Sequence, residues 1–313
     1  MAAAAFVVAL VMAVPVTAVA APPDNDNYLS SASLNSPGSR LDRTHTLKDV
    51  GRDTTAATVQ NDIFSPPRSG GLREITSFSQ CRNSTGATSY GHTVWYYFYP
   101  DVSGLVRLQT QGYDAVISVS EFNPRTFQPD FTHRQCINEL SGSAEELFAT
   151  VLGKHSYIVQ IGGANDAAGS LTFGFDFLAD TDLDGVLDSN DQCPKLKAKT
   201  KSGCPPRLSA EVTLRASPTP NGIQLIGVDV SATRGSRVEV RCPGCRTQAK
   251  TARTVHFPGL RGKRLSAGSL LKIYVTKPRA IGVYIQYRIV AGNFVKTKRC
   301  LNPGSRRPRT RCG

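Results

Sequence analysis

From Asp180 to Pro194 the chain reads Asp-Thr-Asp-Leu-Asp-Gly-Val-Leu-Asp-Ser-Asn-Asp-Gln-Cys-Pro. Counted from Asp180, carboxylates fall at positions 1, 3, 5, 9 and 12, with Gly185 at position 6. A hard cation such as calcium takes about six to eight oxygens, and acidic residues at alternate positions supply them from one short segment. Gly185 permits the sharp turn that a side chain would obstruct. Without a cation the five charges repel one another, so the segment gains order when one neutralises it. Asp180, Asp182, Asp184, Asp188 and Asp191 are therefore the expected ligands. A solvated acidic linker is the plainer alternative, and the spacing, the glycine and the Cys193-Pro194 that follows weigh against it. A calcium loop between two helices usually closes with Glu at position 12. Here that position is Asp191, and neither flank has a helical pattern.

With that closing Asp191-Gln-Cys193-Pro194, residues 180–194 resemble a thrombospondin type 3 repeat of the C type. The resemblance implies Ca2+ as the bound ion. The backbone carbonyl of Val186, at position 7, would join the ligand set.

Residues 2–20 are apolar or small, and Asp24 is the first charge. Ala18-Val19-Ala20 has the small-x-small form of a leader cleavage site, so residues 1–20 are expected to be a signal peptide cut after Ala20. No Lys or Arg precedes the apolar run. An uncleaved anchor is the alternative, and it is the one route to a membrane. Eight cysteines in an exported chain point to disulfides. Spacing favours local pairs: Cys81 with Cys136, Cys193 with Cys204, Cys242 with Cys245, and Cys300 with Cys312. A zinc site from the last four would lack a second Cys-x-x-Cys. A redox role for Cys242 and Cys245 would want a helix N-terminus, and this pair lies between strand-like runs.

Charge divides the chain. Up to residue 194 there are 11 Lys and Arg against 21 Asp and Glu, a net of −10. From Lys195 onward there are 26 against 3, a net of +23. From an asymmetry of this size the halves are expected to meet different partners. The expected organisation is a leader (1–20), a first sandwich (21–178), a calcium loop and linker (179–206), a small basic sandwich (207–295) and a basic tail closed by a disulfide (296–313).

Strand signals recur through the first half. Thr93–Tyr99 is aromatic and strand-forming; Val106 with Leu108, Ala115 with Ile117 and Val119, and Tyr157 with Val159 and Ile161 alternate. Leu171, Phe173, Phe175 and Phe177 form the clearest period-2 run. The aromatic side chains are either core or a carbohydrate-stacking platform. Asp24-Asn-Asp-Asn27, Val94–Phe98, Ser103-Gly104, Tyr113–Val119, Gly153–Val159 and Gly169–Phe173 together resemble the bacterial pre-peptidase C-terminal domain. That resemblance implies a jelly-roll-like sandwich used for substrate or surface attachment beside a secreted hydrolase. No peptidase domain stands beside it here, which weakens transfer of a targeting role.

In the second half, strands are expected at 211–216, 223–231, 237–241, 254–257, 270–276 and 281–290, with Pro- and Gly-rich turns between them. Leu260–Pro278, then Ile281-Gly282 and a basic tail with two cysteines, resemble a C-terminal module of secreted actinobacterial proteins. The fold class is thus all-β: two antiparallel sandwiches joined by a calcium-binding loop.

Catalytic patterns are sparse. There is no Gly-x-Ser-x-Gly, no His-Glu-x-x-His and no phosphate-cradling glycine loop. Ser269-Leu-Leu-Lys272 matches Ser-x-x-Lys, but it sits in a strand pattern without companion motifs. The five histidines are scattered without metal-ligand spacing. No catalytic residue is assigned. The densest cation clusters are Arg261, Lys263 and Arg264, and Arg306, Arg307, Arg309 and Arg311. They are expected to face an anionic cell-envelope polymer or extracellular glycan or protein; a solubilising surface is the plainer reading. Nucleic acid is not expected, because an exported chain rarely meets it and no aromatic residues interleave the clusters. These readings describe a non-enzymatic, secreted or cell-surface, calcium-binding adhesion or polymer-binding protein. The rivals are an accessory targeting subunit of a secreted hydrolase and an unrecognised secreted hydrolase.

Overall fold

The computed structural model describes residues 21–27, 30–35, 40–58, 90–123, 128–137, 142 and 144–313. The expected leader, residues 1–20, and Cys81 lie outside these. Among the described residues there is no α-helix, and the long elements are all strands. They form four sheets around two separate apolar cores.

The first core lies between two sheets. One has the order β1-β3-β8-β5-β6: Ala32–Ser33, Tyr90–Phe98, Ser156–Ala164, Ala115–Asn123 and Gln128–Ile137. The other has the order β2-β9-β4-β7: His45–Asp53, Ser170–Ala179, Gly104–Gln111 and Ala144–Val151. Successive strand side chains point to opposite faces, and β9 follows this closely. Leu171, Phe173, Phe175 and Phe177 are at most 1% exposed, while Thr172, Gly174 and Asp176 face outward. The ring of Phe98 lies 5.1 Å from those of Tyr157 and Phe175, and Tyr96 lies 4.5 Å from Phe173. These aromatic residues are core, not a stacking platform. One pairing departs from the antiparallel expectation: the two-residue β1 runs parallel to β3, with Ala32 opposite Tyr96. Leu34 and Leu41, both fully buried, anchor the flanking chain, and the Leu34 N–H donates to the Tyr97 carbonyl.

The second core is enclosed by β10-β11-β14 (Ala210–Thr219, Gly222–Ala232, Thr254–His256), with β15 (Arg264–Ser266) also paired to β11, and by a five-stranded sheet. That sheet has the order β13-β12-β16-β17-β18: Gln248–Thr251, Arg237–Arg241, Leu270–Thr276, Gly282–Val290 and Asn293–Leu301. Strands β13, β15 and β18 add to those expected from the sequence. β18 pairs with β17 along its whole length, from Val290 opposite Asn293 to Gly282 opposite Leu301, so the sheet continues beyond residue 295. Its Lys and Arg content hides the strand pattern, since an edge strand needs few apolar residues.

Disulfides join Cys193 to Cys204, Cys242 to Cys245 and Cys300 to Cys312. Cys136 is also disulfide-bonded. The tail folds back on its own bridge: Cys300 and Arg309 exchange backbone hydrogen bonds, and Arg207 Nη2 donates to the Cys312 carbonyl at 2.7 Å.

Candidate metal centre and basic face

The acidic loop leaves the first sandwich directly from β9. Its start is tied there by the Asp180 N–H to the Ser103 carbonyl (3.0 Å) and the Asp188 N–H to the Ala179 carbonyl (2.8 Å). Leu183 and Gly185 take positive φ, 56° and 96°, which turns the chain back on itself. The turn brings one ligand atom each from Asp180, Asp182 and Asp184 within 4.8 Å of one another.

The carboxylates differ in what they already hold. Asp180 accepts from the N–H groups of Asp184 (3.2 Å) and Gly185 (3.0 Å). Asp184 accepts from Val186 (2.8 Å) and Ala198 (3.0 Å), which draws the lysine-rich linker onto the loop. Asp188 accepts from the backbone and hydroxyl of Thr181, and Asp191 Oδ1 accepts from the Cys193 N–H. By contrast, both oxygens of Asp182 and Oδ2 of Asp191 are buried with no hydrogen-bond partner. The nearby Leu196 N–H donates to the Cys193 carbonyl at 2.8 Å. Unpaired buried carboxylate oxygens are costly. A divalent cation beside Asp180, Asp182 and Asp184 would satisfy those of Asp182, so the residues present fit such an ion. Asp191 lies outside that triad of atoms, as does Asp188. Val186 follows the turn, half-buried.

Gly203 holds the far wall. Its φ is +68°, and a Cβ there would sit 2.0 Å from Asp191 Oδ1. The Cys193–Cys204 bridge and the Gln192 N–H to the Ser202 carbonyl press this turn against the loop.

Burial, followed by the charges of Asp184, Asp191 and Asp180, pushes the Asp182 carboxyl up from its ordinary 3.8 to about 6. Burial also raises Asp191. A carboxyl whose pKa rises on folding favours the folded state only while it is protonated. In metal-free protein that contribution is complete below about 3.8 and is lost as pH climbs through about 6. Asp182→Asn should therefore raise metal-free stability at pH 7 and flatten its pH dependence between those values, as read from urea unfolding in chelator. Identical profiles for the two proteins would contradict this account of the loop.

The cation clusters named from sequence are exposed. Arg261, Lys263 and Arg264 lie on and just before β15. Arg306, Arg307, Arg309 and Arg311 lie in the tail. The structure does not merge the two groups: β15 belongs to the sheet of β11, whereas Arg306 reaches Glu239 on β12 in the opposite sheet (3.3 Å). It assembles a different basic surface instead. Side chains of Arg237, Arg241, Lys272, Arg288 and Arg299 project from the outer face of β12-β16-β17-β18. Tyr274 and Tyr284 stand among them, ring centroids 5.0 Å apart, with the Arg241 guanidinium 5.3 Å from Tyr274. The Tyr284 hydroxyl donates to Gln286 Oε1 at 2.7 Å. Glu239, almost fully buried, is the local counter-charge, and Arg237, Arg241 and Arg306 surround it. These residues are scattered in sequence; alternate positions on adjacent predicted strands were the signal that could have found them.

Two imidazole–carboxylate pairs are present, His155 with Glu121 and His256 with Asp229, each at 2.6 Å. Among the described residues neither imidazole is hydrogen-bonded to a serine or cysteine.

No protein-family model and no curated relative matches this chain. Among solved structures it is similar to the glycoside hydrolase domain of Endo-D from Streptococcus pneumoniae R6, at 12% identity and a TM-score of 0.21, over 66% of this chain and 31% of that one. A GH2 β-galacturonidase from Eisenbergiella tayi bound to glycerol gives 9% identity and a TM-score of 0.20, over 67% and 38%. The chain thus spans roughly a third of the length of these enzymes. Likeness at this level carries nothing over to the present protein.

Proposed function

We propose that the protein is an exported, non-enzymatic, calcium-binding adhesion or polymer-binding protein. Its second sandwich would hold it to an anionic envelope polymer or acidic extracellular glycan. The observation that carries this reading is the outer face of β12-β16-β17-β18, where cations from four strands and the tail surround two tyrosines and a single carboxylate. Planar guanidinium groups suit carboxylate and phosphate recognition, and the partly exposed Tyr274 ring, backed by the buried Tyr284, supplies flat contact area. The bridged cysteines support an oxidising compartment. Among the described residues no helix is long and apolar enough to cross a membrane. The acidic loop would take calcium at the roughly 0.1–1 mM concentrations at which extracellular modules work.

The test is retention of the full chain on immobilised teichoic acid across a salt gradient. Exposed charges are screened over about 8 Å at physiological salt, so retention should fall steeply as salt rises. Replacing Lys272, Arg288 and Arg299 together by glutamine should weaken binding about tenfold, at roughly 0.5 kcal/mol for each exposed charge. Retention that ignores salt, or a triple variant that binds like wild type, would show that this charge only solubilises the protein.

A further inference from the structure

The first sandwich carries a cleft of about 460 Å³ on the outer face of β2-β9-β4-β7. Three cross-strand rows build it: Lys48, Gly174, Gln109 and Glu146 in the middle, Thr172, Gln111 and Ala144 on one side, and Thr46, Asp176 and Arg107 on the other. The depression is the missing side chain of Gly174 on a central strand. A Cβ there would meet nothing closer than Gln109 Cβ at 3.8 Å.

Around this gap the polar groups are already fixed. Arg107 bridges two carboxylates, pairing with Glu146 and reaching Asp176 at 3.8 Å. Gln109 Nε2 donates to Glu146 Oε1 at 3.0 Å, and Thr46 Oγ1 donates to Asp176 Oδ1 at 2.7 Å. A carboxylate offers about four lone-pair sites, so acceptor capacity remains on both. Outside the lining, across from Arg107 on β7, stands Phe148, 50% exposed, with the Arg107 guanidinium 5.9 Å from its ring centre.

We propose that this cleft binds a neutral oligosaccharide. Sugar hydroxyls both donate and accept, and they meet a mixed set of donors and acceptors held in place by one another, so little ordering is left to binding. Where the oligosaccharide leaves the cleft past Arg107, the apolar C–H face of a pyranose would lie on the Phe148 ring. Lys48 and Arg107 offset Glu146 and Asp176 on this face, and Glu145, buried beneath, adds a third carboxylate, so the lining does not favour an anionic ligand. A phosphate or carboxylate ligand would meet the two carboxylates. An extended peptide adds to a sheet edge, whereas this site is the middle of a sheet face. The inference is independent of the basic face on the second sandwich.

The test uses the full chain with soluble gluco-, manno- and chito-oligosaccharides, titrated calorimetrically at low and high salt. At least one series should bind, with little dependence on salt. Phe148→Ala and Gly174→Val should each weaken that binding about tenfold or more. Gly174→Val fills the floor without removing a polar group, and valine suits a strand. Its thermal midpoint should stay at the wild-type value, so lost binding cannot be ascribed to unfolding. The variant lacking Lys272, Arg288 and Arg299 should bind the neutral sugar unchanged. Failure of all three series to bind, or undiminished binding by both cleft variants, would overturn the proposal. Binding only to acidic glycans, abolished by salt, would also overturn it while leaving the anionic-polymer reading intact.

Discussion

Replacing Asp182 and Asp184 together by alanine should abolish calcium uptake at the inter-domain loop and the stabilisation that accompanies it. Asp182 is the carboxylate whose two oxygens lack partners, and Asp184 ties the linker to the loop through Ala198. At about ten times the dissociation constant, a ligand that binds only the folded state adds about 1.4 kcal/mol. For a chain of this size that corresponds to a rise of roughly 3–6 °C in the thermal midpoint of the unit that holds the ion. The wild type should show this rise and the double variant should not. Without calcium the difference should nearly vanish, because the variant has lost two mutually repelling charges. Equal calcium uptake by the two proteins in calorimetry would sink the assignment.

The second large effect concerns the bridge beside that loop. Changing Cys193 and Cys204 to alanine opens a crosslink between residues 11 apart in sequence. In the chain-entropy model a loop of this length contributes about 3 kcal/mol, by restricting the unfolded chain. The bridge also presses Gly203 against Asp191, where no side chain could fit. Its loss should let Asp191 move away and withdraw its negative charge from beside Asp182, so calcium binding should weaken about tenfold, or about 1.4 kcal/mol. Urea unfolding with and without calcium separates the two parts. A change below about 1 kcal/mol in chelator would show that the unfolded chain gains little freedom from the cut.

The fold is legible in the sequence where burial is one-sided. Leu171, Phe173, Phe175 and Phe177 announce β9 because every second residue enters the core. β18 is not legible in the same way: it lies at a sheet edge, most of its side chains face water, and lysines fill its pattern. The acidic loop is legible because its groups are close in sequence. What the sequence could not show was their unequal state. Asp188 is taken by Thr181 and Asp180 by backbone donors, while Asp182 is left without partners. The basic face escaped notice for the opposite reason. Arg241, Tyr274, Tyr284 and Arg299 become neighbours only through strand register, which charge clusters along the chain do not reveal. The cleft is less visible still, because its defining feature is a glycine in the middle of a strand.

Strand β18 has one more role to play once many copies gather on one polymer. It is the outermost strand of its sheet and carries Lys296, Lys298 and Arg299. The tail covers this edge only where Arg309 pairs with Cys300; an open stretch of edge invites another chain to add a strand, and lysines there oppose such stacking through repulsion between copies. The same positive charge that would draw the protein to a surface would therefore keep crowded molecules there from fusing edge to edge. A polymer that masked those lysines would lift the safeguard, so aggregation should set in near charge neutralisation and reverse when either component is in excess.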